Sequence, residues 1–278
     1  MDAYTVHRPT GAPLLLYDSP HSGRFYPPDF ALGAPLADLR LGEDAYVDEL
    51  LANAPAYGAA VLAANYPRCY IDVNRAETDI DSAILAEPWP GPIEPTEKAR
   101  RGLGLIRRYV VPGVAAQARP LTAAELETRL ERAYWPYHAA LGALVEELRA
   151  SRGTVVHVNW HSMKSRGNAM TPDGPGASRP DAVVSDLHGR SAARWVRDLI
   201  VTTLGDAGYH VSINEPYAGG TIVQRVGAPG RDVHSVQIEI NRALYLREQS
   251  VERTDGFAAV VGTVDALTRR LAEAIRSR

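Results

Sequence analysis

Short apolar runs alternate along this chain with longer stretches of helical periodicity, and that alternation restricts the fold more than any other feature. The strand candidates are Pro13–Ser19, Ala59–Ala64, Cys69–Val73, Thr154–Trp160, Val211–Ile213, Thr221–Gln224 and Val233–Ile240. Several are apolar at odd and even positions alike, the pattern of strands covered by helices on both sides. Helical patterns run over Asp44–Asn53, Thr122–Arg149, Arg190–Gly205 and Gly256–Arg276. The second opens on a capping box, Thr122 with Glu125. Pro136 predicts a kink within it, and Gly153 a stop just beyond it. The expected fold class is α/β: a single domain over residues 1–278 with a mixed, mostly parallel, twisted sheet and helices on both faces. Two stretches resist the pattern, the proline-dense loop Glu87–Pro95 and the Gly-, Pro- and Ser-rich segment Lys164–Asp181. Irregular segments of this length inside a domain are usually functional or disordered.

With 278 residues, 45% of them hydrophobic, the chain can bury a large core. The net charge of -3 comes from interspersed acids and bases, so no nucleic-acid footprint is expected. A single cysteine, Cys69, excludes an internal disulfide and fits a reducing compartment. The N-terminal MDAYTVHRPTGAP lacks the basic and apolar regions of a signal peptide, and no window is long and apolar enough for a membrane span. The expectation is a soluble cytoplasmic protein with no nucleic-acid or membrane partner. Nothing in the sequence points to an oligomeric state.

In open α/β sheets, ligands bind at the carboxyl ends of the strands. Two histidines sit at such ends, His21 in DSPHSG and His161 in VVHVNWHSM, each followed by serine. Two imidazoles and a carboxylate match a catalytic zinc site with three protein ligands and one open position. LGEDAYVDEL offers Glu43 and Asp44 as that carboxylate, although acids also favour a helix N-terminus. Asp48, one turn beyond Asp44, reads either as a hydrogen-bond partner to a ligating imidazole or as a surface acid. Glu239 shares a strand face with Gln237, opposite Val236, Ile238 and Ile240. A carboxylate there is costly unless it is paired, metal-bound or turned toward a cleft; the alternative is the solvated face of an edge strand. In YIDVNR, Arg75 follows Asn74 just past an apolar run, where a guanidinium can grip a carboxylate or pair with Asp72, Glu77 or Asp79. Gly219 and Gly220 permit close backbone approach to a ligand, or a turn. His188, just before a helix, can cap it or meet substrate. His157 shares the parity of His161 and reads as packing. His7, His138, His210 and His234 carry no motif.

Taken in order, PHSG, EDAYVDEL, YIDVNRAETD, YWPYHAAL, HSM, SDLHG, NEPYAGG and VHSVQIEINRALYL run from about residue 15 to about residue 247. This set resembles the N-formylglutamate amidohydrolase (N-formylglutamate deformylase) family, itself distantly similar to zinc carboxypeptidases and aspartoacylases. The resemblance implies a zinc-carboxypeptidase-like sheet and one zinc ion held by His21, an acid of the Glu43–Asp44 pair and His161, with Asp44 favoured. The carboxypeptidase His-x-x-Glu pattern is absent, since Arg24 occupies its acid position. The resemblance further implies Glu239 as the base that activates metal-bound water, and Asn74–Arg75 as the grip on a substrate carboxylate. Arg107, Arg108 and Arg225 are candidates to support the oxyanion. The implied reaction releases formate and glutamate from N-formyl-L-glutamate in histidine breakdown. Alternatives are another N-acyl amino acid or a peptide C-terminus as substrate, or a non-catalytic relative that only binds a ligand.

Overall fold

The central strand pair shows how local sequence places the site. In Val155–Met163, Val156, Val158 and Trp160 alternate with His157, Asn159 and His161; in Val233–Asn241, Val236, Ile238 and Ile240 alternate with Ser235, Gln237 and Glu239. The two segments pair parallel and in register, so His161 lies beside Glu239 and Asn159 beside Gln237. Period-two alternation then sends the apolar set to one face and the polar set to the other.

The computed structural model describes all residues, 1–278. Its strands are β1 (Tyr4–His7), β2 (Leu15–Ser19), β3 (Ala59–Ala64), β4 (Tyr109–Val111), β5 (Val114–Ala115), β6 (Val155–Met163), β7 (Ala182–Ser185), β8 (Val211–Ile213), β9 (Val233–Asn241), β10 (Leu246–Arg247) and β11 (Glu252–Arg253). Its α-helices are α1 (Leu36–Leu39), α2 (Val47–Leu50), α3 (Glu97–Arg100), α4 (Ala123–Arg129), α5 (Trp135–Arg152), α6 (Arg194–Asp206), α7 (Thr221–Val226) and α8 (Gly256–Arg276). Seven strands form one sheet in the order β1-β3-β2-β6-β9-β7-β8. The four inner strands β3, β2, β6 and β9 are parallel, while β1 and the β7–β8 pair run against them. This is the expected mixed, mostly parallel α/β sheet. Strands β4–β5 and β10–β11 make two small ribbons.

One core packs Val156, Val158, Trp160, Val236 and Ile238 against the apolar stripes of α6 and α8. A second, on the opposite face, joins Leu16, Ala60 and Leu62 to α4, α5 and the irregular chain between β3 and α4. No helix is long and apolar enough to cross a membrane.

Local expectations fail where tertiary contacts replace the sheet ladder. Cys69–Val73 is buried but turned, not a strand. Its backbone is satisfied otherwise: Gln117 donates to the Cys69 carbonyl, Arg129 to that of Tyr70, and the Asp72 N–H reaches Leu105. Thr221–Gln224 is helical, the start of α7, because burying Ile222 and Val223 outweighs their β preference. The helix expected over Asp44–Asn53 shrinks to α2 and leaves Asp44 outside it. The Thr122–Arg149 pattern splits into α4 and α5 across a π-turn at Leu130–Tyr134, directly before Pro136. The capping box forms, and Gly153 ends α5 at φ 77°. Strands β1 and β7 were not expected; β1 is a half-exposed edge and β7 has only four residues.

Candidate active site

A cleft opens at the carboxyl ends of β2, β6 and β9, lined by His21, His161, Gln237 and Glu239 among others. His21 follows β2 through Ser19–Pro20, and the Asp44 N–H donates to its carbonyl at 3.0 Å. Gly23 serves close packing, since a Cβ there would sit 2.3 Å from the Tyr66 carbonyl oxygen.

His21, Asp44 and His161 each offer one ligand atom, all within 4.8 Å of one another and all buried. Both imidazoles turn Nδ1 toward Asp44 Oδ2, at 3.3 Å from His21 and 2.9 Å from His161. Their outer nitrogens are already committed. His21 Nε2 lies 2.6 Å from Asp72 Oδ1, and His161 Nε2 lies 2.8 Å from Asn159 Oδ1 and 3.0 Å from the amide nitrogen of Asn74. Asn159 has its amide nitrogen on Asp18, 2.8 Å away, so only its oxygen faces the imidazole. The two Nδ1 atoms and the Asp44 oxygen thus converge on one point. Two imidazoles with one carboxylate suit a divalent ion such as zinc. Burial opposes ionisation of Asp44, yet the Arg68 charge and the two imidazoles outweigh it and hold the carboxyl well below the usual range. Glu43 faces elsewhere: it accepts from Tyr26 at 2.8 Å and pairs with Arg40, and burial raises its pKa. Asp48 pairs with Arg24 at 3.1 Å and touches no imidazole.

Glu239 stands beside His161 in the sheet and lines the cleft, so the solvated-edge alternative does not apply. Burial raises its pKa, with His161 working against the shift. Gln237 donates to its Oε1 at 2.9 Å.

The cleft also carries cations. Arg75, Lys98 and Arg107 all line the cleft. Arg75 forms no ion pair with Asp72, Glu77 or Asp79, and its Nε is buried without a hydrogen-bond partner. Arg107 Nε is 3.5 Å from Asp72 but also lacks a hydrogen bond, because Asp72 is engaged with His21 and Arg68. Burial, aided by neighbouring guanidinium charge, lowers Arg107 to about 9 and Lys98 to about 8. Arg108 and Arg225, by contrast, pair with Asp81 and Glu77. Gly219 and Gly220 line the cleft; a Cβ on Gly220 would lie 2.5 Å from the Asn74 amide, whose oxygen accepts from Ile222 N–H at 2.9 Å. Of the irregular segment after β6, Lys164, Asn168, Met170, Thr171, Pro172 and Arg179 line the cleft. The loop Glu87–Pro95 does not reach it. His188 is exposed and lies outside it.

The model of the N-formylglutamate amidohydrolase family matches residues 13–246. The chain belongs to the N-formylglutamate amidohydrolase family. It is 27% identical over 206 residues to the N-formylglutamate deformylase of Pseudomonas putida, covering 74% of this chain and 71% of that protein. It is 27% identical over 248 residues to that of Pseudomonas aeruginosa, covering 85% and 83%. Among solved structures, the N-formylglutamate amidohydrolase from Ralstonia eutropha superposes with a TM-score of 0.92 at 40% identity, over 100% of this chain and 99% of that one. An Agrobacterium tumefaciens gene product shares the fold at a TM-score of 0.69 and 20% identity.

In this family member, sequence reasoning missed the groups that hold the site in place. Asp72 and Asn159 orient the imidazoles, and Asp18 orients Asn159 while accepting from His157 and Tyr137. Arg68 and Arg242 flank Asp44, at 3.4 and 2.8 Å from its Oδ1. Strand parity could have flagged Asp18 and Asn159. Lys98, on the one-turn helix α3, carried no signal.

Proposed function

We propose that this chain hydrolyses the N-formyl amide of N-formyl-L-glutamate to formate and glutamate, with zinc held by His21, Asp44 and His161. The observation that carries this reading is the convergence of three ligand atoms next to Glu239, in a cleft that also holds Arg75, Lys98 and Arg107. When bound, a divalent ion polarises the formyl carbonyl and brings the pKa of a coordinated water toward neutrality. Glu239 takes a proton from the attacking water and returns it to the departing nitrogen. Arg75 binds one substrate carboxylate, held in place by its burial beside Asn74, and Lys98 with Arg107 meets the charge of the second. Arg68, between Asp44 and Asp72, is the guanidinium placed to steady negative charge developing on the carbonyl oxygen. Gly219 and Gly220 let the chain before α7 close on Asn74. The products suit a last step of histidine breakdown, carried out in the cytoplasm.

The test is to incubate the zinc-loaded protein with N-formyl-L-glutamate and measure formate and glutamate. Release in equal amounts, and much faster than acetate from N-acetyl-L-glutamate, is the expected result. No formate from any N-formyl amino acid overturns the reading. Arg75→Ala is expected to raise KM for N-formyl-L-glutamate by roughly 10- to 150-fold, the equivalent of the ~1.5–3 kcal/mol of a hydrogen bond to a charged group. An unchanged KM would make Arg75 structural.

A further inference from the structure

We propose that Gln237 accepts a hydrogen bond from the N–H of the scissile amide, so that this site distinguishes amides from the corresponding esters. The role rests on the hydrolase reading above and adds a residue that reading does not use. Gln237 is 4% exposed and lines the cleft between Asn159 and Glu239. Its two amide atoms have different fates. The nitrogen donates to Glu239 Oε1 at 2.9 Å, and a carboxylate can take only that end of the amide. The oxygen is thereby turned away from Glu239, and it has no donor although it is buried. It is the one buried side-chain oxygen lining the cleft left in this condition. A buried carbonyl without a donor is costly, and in a native site it marks a place for an incoming group.

A substrate group that fills this place has to be a donor and has to lie close to the proton-transfer base. The N–H of the amide under attack meets both conditions, while the formyl group offers only an acceptor oxygen and the carboxylates none but acceptors. In the reaction the water oxygen bonds to the carbonyl carbon and its proton passes to Glu239. The nitrogen lone pair, freed from amide resonance, takes that proton, and the C–N bond breaks with its electron pair left on nitrogen. Holding the N–H on Gln237 fixes which side of the nitrogen its lone pair develops on. One side chain therefore orients both partners of the transfer, the carboxylate through its nitrogen and the amine through its oxygen.

The experiment compares N-formyl-L-glutamate with 2-formyloxyglutarate, the ester in which oxygen replaces the N–H, on the wild-type protein and on Gln237→Met. Loss of the bond to Glu239 lowers both activities. Loss of the acceptor lowers only the amide. The expected result is a fall in kcat/KM on the amide about 10- to 100-fold larger than on the ester, the effect of one buried partner left unmet. Equal losses on both substrates overturn the proposal and leave Gln237 as a support for Glu239 alone. Gln237→Asn, with the amide one methylene short, gives the same split if Met is not tolerated. Absence of formate release by the wild-type protein would overturn the hydrolase reading itself, and with it this role.

Discussion

Glu239→Gln should bind zinc as the wild-type protein does while losing roughly 10²–10⁴-fold in kcat, the usual contribution of a general base. The substitution keeps the shape of the side chain and its place in β9 but removes the capacity to accept a proton. Glu239 is not among the three groups whose ligand atoms converge, so metal content and the melting temperature should hold. KM should change little, since the substitution leaves Arg75, Lys98 and Arg107, the cations proposed to bind the substrate carboxylates, in place. Measuring kcat and zinc stoichiometry on the same preparation decides the matter. Unchanged turnover would remove Glu239 from the chemistry, and lost zinc would make it a ligand.

Asp44→Ala should abolish zinc binding and formate release together, and destabilise the protein by about 3–5 kcal/mol, the cost of leaving buried charges without their partner. The stability term follows from where Asp44 sits. Its Oδ1 receives Arg242 at 2.8 Å and Arg68 at 3.4 Å, and Arg242 is itself buried, with its remaining donors on Ser162 and Leu41. Asp44 thus neutralises a guanidinium pair on one oxygen and meets the imidazoles with the other. Glu43→Gln is the control, because Glu43 serves only Tyr26 and Arg40 and should keep full zinc content. Metal analysis of the two variants, with denaturant midpoints, checks this. Zinc retained by Asp44→Ala and lost by Glu43→Gln would invert the assignment.

What could be read in advance divides along physical lines. Inner strands declared themselves: Ala59–Ala64 runs as expected, because β-branched and small apolar residues suit positions covered on both sides, and the short edge strand Val211–Ile213 also forms. The amphipathic helix Gly256–Arg276 did so too. Cys69–Val73 misled because its apolar side chains are as buried as a strand's, while its backbone bonds to side chains far off in sequence. The site followed the same division. His21, His161 and Glu239 were legible because a polar group at the end of an apolar run is locally anomalous. The choice of Asp44 over Glu43 was not, since adjacent residues differ only in which way the chain turns. Asp72 had been weighed only as a partner for Arg75; its bond to His21 depends on a loop that no periodicity describes.

Part of the proposed hydrolytic machinery and the proposed recognition groups stand on different kinds of backbone. His161, Gln237 and Glu239 belong to two adjacent hydrogen-bonded strands whose register allows no adjustment by a single residue without reversing every side chain. Arg75 and Arg107 sit on connecting segments and Lys98 on a single helical turn. On that reading, exchanging the segments that carry the cations while keeping the strand pair offers a route to new acyl amino acids, by drift or by design.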